Sequence, residues 1–379
     1  IVFSQFAGTS LWFAGNAILG EIGRREPGAV GGITSLVQLG FISGTLVFAI
    51  LTIADRFKPT LVFFMSSIIA AAANVAVILV PDDMQSISVL RFITGFFLAG
   101  IYPVGMKIAA DLFPRQTGNA LGYLVGALVL GTAFPHLLRS QVYHLPWKEV
   151  LLVTSALAIT GGVLMLLLLP SKASLERKKF EPAAFLLAFR SPAFRSAAFG
   201  YFGHMWELYT MWAFIPLVLQ QYNSMNSDAL NIPLWSFLVI AAGAVGCIAG
   251  GHLSKKFGSK NIALISLLVS GSCCLLAVLA FAWPATIFLV FLLLWGTTVV
   301  SDSPQFSTLV AQTAVAAYKG TALTIVTSIG FAITIVSIQL MQQLFKSSPS
   351  NLWLLAFGPL FGVAALLFGS QFSVRGSRS

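Results

Sequence analysis

The chain has 379 residues, 57% of them hydrophobic and only 9% charged, and its formal net charge is +10. A soluble domain carries about 25% charged residues, so there are too few here to coat a water-facing surface. Secreted disulfide scaffolds, disordered tails and ordinary cytosolic enzymes are excluded, and a polytopic membrane protein remains.

Apolar runs and their breakers predict helical spans 1 to 6 near 1–20, 29–54, 59–80, 88–110, 117–139 and 147–169. Spans 7 to 12 are predicted near 196–221, 230–254, 260–281, 285–308, 318–346 and 350–370. The runs are continuously apolar, with no alternation of faces, so helices are expected rather than barrel strands. The expected fold is an all-α integral membrane protein with an N-terminal six-helix bundle over 1–170, a charged cytoplasmic linker over 171–195 and a C-terminal bundle over 196–379. The chain opens at Ile1, already apolar, which implies that residues precede it; no cleavable signal is visible.

With the N-terminus placed in the cytoplasm, only Arg24, Arg25, Arg91, Arg139, Lys148 and Lys346 fall at the outer side, against sixteen of the 22 Lys and Arg residues inside. This positive-inside bias predicts cytoplasmic termini in a bacterial inner membrane, and it accounts for the basic charge without any nucleic acid. Cys247, Cys273 and Cys274 all lie inside apolar runs and give neither a disulfide framework nor zinc spacing.

In chain order, span 1 offers Gln5, Trp12 and Asn16, and span 2 offers Gln38. The loop after span 2 carries Asp55, Arg56 and Lys58. Span 4 opens with Arg91 and continues to Tyr102, Lys107 and Asp111; the last two sit one turn apart, in position to pair. Span 5 carries Gly122, Gly126, Gly131 and Pro135, whose spacing suits close helix packing, and it ends with His136 and Arg139 at the outer interface. Span 7 is the richest segment, with His204, Trp206, Glu207, Met211 and Trp212. Positions 204, 207 and 211 share one helical face. A carboxylate inside a span must find a partner or take up a proton, so Glu207 is the leading candidate for proton coupling. His204 would share that proton or hold Glu207, and a static clamp between helices is the alternative. Asp302 in span 10 is the next acid; Pro304 beside it is expected to kink the helix. Span 11 adds Gln339. The expected substrate cavity is lined by Trp12, Asn16, Gln38, Arg91, Tyr102, Trp206, Met211, Trp212 and Gln339.

The second half repeats the first at an offset near 200. Asp55-Arg56-Phe57-Lys58 answers Lys255-Lys256-Phe257-Gly258, Gly118-Asn119-Ala120-Leu121 answers Gly320-Thr321-Ala322-Leu323, and Trp12 answers Trp212. Six spans per half makes this a parallel repeat, which places a site at the midplane between two rocking bundles. The loop Gly251-His252-Leu253-Ser254-Lys255-Lys256-Phe257-Gly258-Ser259-Lys260 matches the GxLaDrxGrk pattern of the major facilitator superfamily, with Lys255 in place of the acid. The first-half loop keeps Asp55 and Arg56 but has Leu51 and Lys58 where glycines belong. Arg91-Phe92-Ile93-Thr94-Gly95-Phe96-Phe97-Leu98-Ala99-Gly100 is similar to the RxxxGxxxG element of the same family. The resemblance covers essentially the whole length. It implies a cytoplasmic gate formed by Asp55, Arg56, Lys58, Asp111, Gly251, Lys255, Lys256, Gly258 and Lys260, in which Asp55 faces the start of span 11 and Arg56 or Lys58 faces Asp111. It also implies that Arg91 turns inward, where it would meet an anion.

The expected function is that of a monomeric, non-enzymatic secondary transporter moving a small polar or anionic solute by alternating access, as a proton symporter, with membrane lipids as its surroundings. No cofactor is expected: there is no Walker A sequence, HExxH string or Ser/His/Asp set, and the histidines at 136, 144, 204 and 252 are scattered. A copper importer of the same superfamily is the rival reading, resting on His204 with Met211. A transporter-like receptor or scaffold is the rival of another class.

Overall fold

The computed structural model describes residues 1–18, 29–81, 83–113, 117–140, 143–170, 188–315 and 319–369. Residues 171–187 of the linker lie outside these, as do Arg24, Arg25 and the arginines of the C-terminal tail. Every regular element among the described residues is a helix. The reason is that an apolar surround offers the backbone no partners, so each span satisfies its own N–H and C=O groups.

Among the described residues, ten segments are long and apolar enough to cross a membrane, corresponding to spans 2–6 and 8–12. The sequence predicted twelve; spans 1 and 7 fall short of that measure for different reasons. Span 1 is a short helix, Val2–Thr9, followed by an irregular turn and a 3-10 segment, Ala14–Ile18. Thr9 Oγ1 donates back to Gln5 O at 2.8 Å and Ser10 Oγ to Ala7 O at 2.7 Å, which loosens the helix where it ends. Span 7 is one unbroken helix, Pro192–Asn226, but polar side chains along it dilute its apolar character.

Spans 4 and 10 are each broken once. Span 4 runs as Met84–Leu98 and Tyr102–Leu112, and span 10 as Ala285–Ser301 and Ser303–Thr313. In both, a proline sits at the start of the second helix, Pro103 and Pro304, where its missing N–H costs nothing. Span 10 is thus interrupted at Asp302, two residues before Pro304.

Within the first half, span 2 packs along span 4, span 3 along span 6, and span 1 against spans 5 and 6. Within the second, span 7 packs along spans 11 and 12, span 8 along span 10, and span 9 against spans 10 and 12. The halves meet along two seams, span 5 with span 8 and span 2 with span 11. The span 5 glycines serve these contacts: Gly122 lies against Cys247 and Gly251 of span 8, and Gly131 against Phe6 and Thr9 of span 1.

Candidate functional site

Aromatic side chains from both halves converge at mid-span. Trp12 stacks on Tyr209 and on Phe331, with ring centroids 5.6 Å apart in each case, and Phe41 closes against Phe331 at 4.5 Å. Tyr209 meets Trp212 edge-on at 5.2 Å, and Tyr102 approaches Phe41 at 6.5 Å. Trp12, Trp212 and Gln38 are buried, and neither indole N–H nor the Gln38 amide has a protein partner. Polar groups of this kind are costly in a packed core. Their donors are unspent, and a flat solute with acceptor atoms would satisfy them.

Glu207 lies in a buried pocket of the second half. Its Oε1 accepts from Trp295 Nε1 at 2.6 Å and from Cys274 Sγ at 3.2 Å, and its Oε2 accepts from Ser270 Oγ at 2.9 Å. All three donors are neutral, and no cation pairs with this carboxyl group among the described residues.

His204 turns away from Glu207, contrary to the reading that joined them through one helical turn. Its Nδ1 meets Asp302 Oδ1 at 2.9 Å, linking span 7 to the break in span 10, and both side chains are 1% exposed. The imidazole lies between Tyr201 and Phe306, each 5.9 Å away by ring centroid, and its Nε2 has no partner. Nδ1 is thus engaged with Asp302, and Nε2 is the nitrogen left open. No group of three or more His, Cys, Asp or Glu able to hold a metal ion is found among the described residues.

Arg91 does turn inward, and protein acceptors take up its fork. Nη1 donates to Asn74 Oδ1 at 2.7 Å, while Nη2 donates to Leu11 O at 2.9 Å and Trp12 O at 3.2 Å. These are carbonyls freed by the break in span 1. Gly15 makes the approach possible, since a Cβ there would stand 2.6 Å from Arg91 Nε. The guanidinium is fully buried, and only Nε lacks a partner.

Other predicted residues lie elsewhere. Trp206 points to span 12, donating to Leu354 O at 3.3 Å, and is not part of the aromatic cluster. Gln339 bridges the halves at the far end of spans 2 and 11, donating to Gly31 O at 3.2 Å and Ser35 Oγ at 2.9 Å. Asn16 accepts from Thr34 Oγ1 at 3.5 Å, and Met211 is buried in span 7.

At the opposite end the gate pairings differ from those the resemblance implied. Asp55 pairs with Lys107 of span 4 instead of facing span 11, and Lys107 Nζ also donates to Ala54 O at 2.8 Å. Lys107 therefore does not pair with Asp111. Arg56 Nε donates to Thr52 Oγ1 at 3.1 Å, Lys58 precedes the span 3 helix, and neither pairs with Asp111, which is exposed. In the second loop, Asn119 of span 5, its amide oriented to suit both partners, accepts from Lys255 Nζ at 2.7 Å and donates to Gly251 O at 3.3 Å. Lys256 lies over the Phe257 ring, Gly258 adopts φ +80°, and Lys260 is exposed.

Sequence reasoning missed Tyr209, Phe41 and Phe331 in the cluster, the Trp295–Ser270–Cys274 cradle, and Asn74. Two carried a signal: Trp295 sits deep in an apolar run where its N–H requires an acceptor, and Asn74 interrupts an alanine run.

A family model described as the Major Facilitator Superfamily matches residues 1–338. A probable actinorhodin transporter of Streptomyces coelicolor is 24% identical over 253 residues, 63% of this chain and 39% of that protein. An MFS-type transporter, acdC, of Aspergillus candidus is 31% identical over 141 residues, 36% of this chain and 27% of that protein. The chain thus spans well under half the length of either relative. The crystal structure of the human organic anion transporter MFSD10 (TETRAN) superposes with a TM-score of 0.76 at 15% identity, covering 97% of this chain and 98% of that one. That likeness shows a shared fold.

Proposed function

Because the chain belongs to the Major Facilitator Superfamily, we propose that it is a secondary transporter that moves a small organic solute, polar or anionic, by alternating access with proton coupling. The observation that carries the proposal is the placement of two buried acids, Glu207 in a cradle of neutral donors and Asp302 against His204, in the half that shares the midplane cluster with Trp12. A buried carboxyl group with only neutral donors can change protonation without breaking an ion pair. The relatives' names, for transporters of actinorhodin and of organic anions, support a solute that is organic and anionic. Twelve spans in two six-helix bundles, 1–170 and 196–379, with the linker 171–195 and both termini in the cytoplasm, complete the proposal, and Gln339 and Asn119 would hold the two seams. Arg91 serves the shape of span 1 in this reading, and the solute meets the rings and the free donors of Trp12, Trp212 and Gln38.

Reconstituted into proteoliposomes, the protein should accumulate an organic anion in response to ΔpH. The screen begins with thermal stabilisation, since a ligand of the folded state raises its melting temperature. A receptor or scaffold would bind solute without flux. Flux indifferent to ΔpH would remove proton coupling and leave the carrier.

A further inference from the structure

Spans 8 and 9 are joined by a loop of a single glycine, Gly258, whose φ of +80° allows the tight reversal. Between the two helices lies a crevice of about 560 Å³, with Thr297 and Ser301 of span 10 as its floor. Its walls include Gly250, Leu253 and Phe257 of span 8 and Ile265 of span 9. Leu253, Phe257 and Ile265 are roughly half exposed, at 47%, 49% and 57%, so the crevice opens on the outside of the protein and not on the path between the halves. On the floor, the hydroxyls of Ser301 and Ser266 bond each other at 2.7 Å, so that pair satisfies itself and makes no demand for a polar occupant.

The mouth is different. Lys256 Nζ sits over the ring of Phe257, 5.4 Å from its centroid, and Lys260 follows in the first turn of span 9. Lys255, by contrast, is turned to Asn119. The helix of span 9 starts here with no side-chain cap, and its dipole adds to the positive field. An apolar slot with cations at its mouth, at the membrane surface where the basic loops gather, matches a molecule with an alkyl chain and an anionic head.

We propose that this crevice binds an anionic phospholipid, its acyl chain between spans 8 and 9 and its phosphate at Lys256 and Lys260. The solute path proposed above is separate from it, so the two readings stand or fall independently.

The full chain is placed in nanodiscs with equal amounts of phosphatidylglycerol and phosphatidylcholine. The lipid retained after transfer to mild detergent is then counted by native mass spectrometry. The wild type is expected to keep phosphatidylglycerol preferentially. The double variant Lys256→Gln/Lys260→Gln should lose that preference by about fivefold or more, the equivalent of one good ionic contact. Ala249→Phe, which fills the crevice and leaves the lysines in place, should also lose the retained lipid, whereas Lys319→Gln at the start of span 11 should keep it. An unchanged preference in the double variant, or full retention in Ala249→Phe, would overturn the site. Equal loss in Lys319→Gln would reduce it to general surface charge and overturn it as well. Inorganic phosphate displacing the lipid from the wild type at equal concentration would make it a free-anion site, again against the proposal.

Discussion

Spans 4 and 10 repeat one another closely, while spans 1 and 7 do not. Both members of the first pair break once, and Pro103 and Pro304 open the second helix at the offset that relates the two loops. In the second pair, span 1 unwinds after Thr9, whereas span 7 runs unbroken to Asn226 through Pro216. One residue supports the unwound stretch of span 1 and has no counterpart in the second half. Arg91 supplies donors for Leu11 O and Trp12 O, and the repeat offset puts Phe291 or Leu292, which have none, in its place. The second half instead buries acids, and Trp295 donates to Glu207. The repeat therefore preserves the frame while the polar chemistry diverges, with a buried guanidinium in the first half and buried acids in the second.

The largest effect is expected where the frame depends on that chemistry. Arg91→Ala would leave Asn74 Oδ1 and two backbone carbonyls without donors, at about 1–3 kcal/mol each for a buried group. Folded yield in detergent should collapse, or the melting temperature fall by many degrees. Arg91→Lys should rescue little, because one ammonium does not reproduce the fork. If Arg91→Lys were as stable as wild type, with weakened anion binding as the only loss, the arginine would be a solute ligand and not the support of the unwound stretch in span 1.

Glu207→Gln comes next, and it separates function from stability. The amide keeps an acceptor for Trp295 and fixes the group as neutral, so the fold should persist while ΔpH-driven accumulation falls at least about tenfold, the scale of 1.4 kcal/mol. Solute binding and exchange should continue with weaker pH dependence. Glu207→Ala removes the acceptor altogether and should cost about 1–3 kcal/mol of stability, seen as a lower melting temperature. A Glu207→Gln protein that still concentrates solute under ΔpH alone would move the coupling role to Asp302.

How much of this was readable in the chain follows from what each residue type demands locally. Continuous apolar runs set out most of the spans, because a helix in lipid must be both long and apolar. Glu207 and Asp302 stood out for the same reason, as acids where acids are expensive. Their partners were hidden, since helical spacing reports which residues share a face but not which helix that face meets. His204 therefore looked like a neighbour of Glu207, when its Nδ1 crosses to Asp302. Trp206 shares span 7 with Tyr209 and Trp212, but its face turns to span 12. The support of the unwound stretch in span 1 was hidden as well, because Arg91, which donates to Leu11 O and Trp12 O, is distant in sequence.

The His204–Asp302 pair is expected to give a moderate effect. His204→Gln keeps a polar group beside Asp302 but removes the imidazole, and should shift the pH optimum of transport without ending accumulation. Asp302→Asn should shift the same profile, and the double variant should add little to either single one, because interacting groups are not additive. Additive shifts, measured as initial uptake across a pH series, would show that the two side chains act separately.

The smallest effects are expected at the two loops, where the halves again differ. Asp55 and Lys107 are about a quarter exposed, at 26% and 27%, and both belong to the first half. Lys255 instead reaches Asn119 in the other half, beside the seam where Gly122 lies against Cys247. A partly exposed pair is worth about 0.2–1 kcal/mol, so Asp55→Asn should lower the melting temperature slightly and leave the seam closed. Lys255→Gln should do the reverse, with little change in melting but easier opening between spans 5 and 8. Cys247 is fully buried there and reports the opening through its rate of alkylation, followed by mass spectrometry of the labelled peptide. A loss of up to about 1 kcal/mol corresponds to a rate increase of at most about fivefold. If Asp55→Asn accelerated Cys247 labelling as much as Lys255→Gln, the first loop would also act across the halves. The gate would then be symmetric, like the paired breaks of spans 4 and 10, and the difference between the halves would be confined to their buried charges.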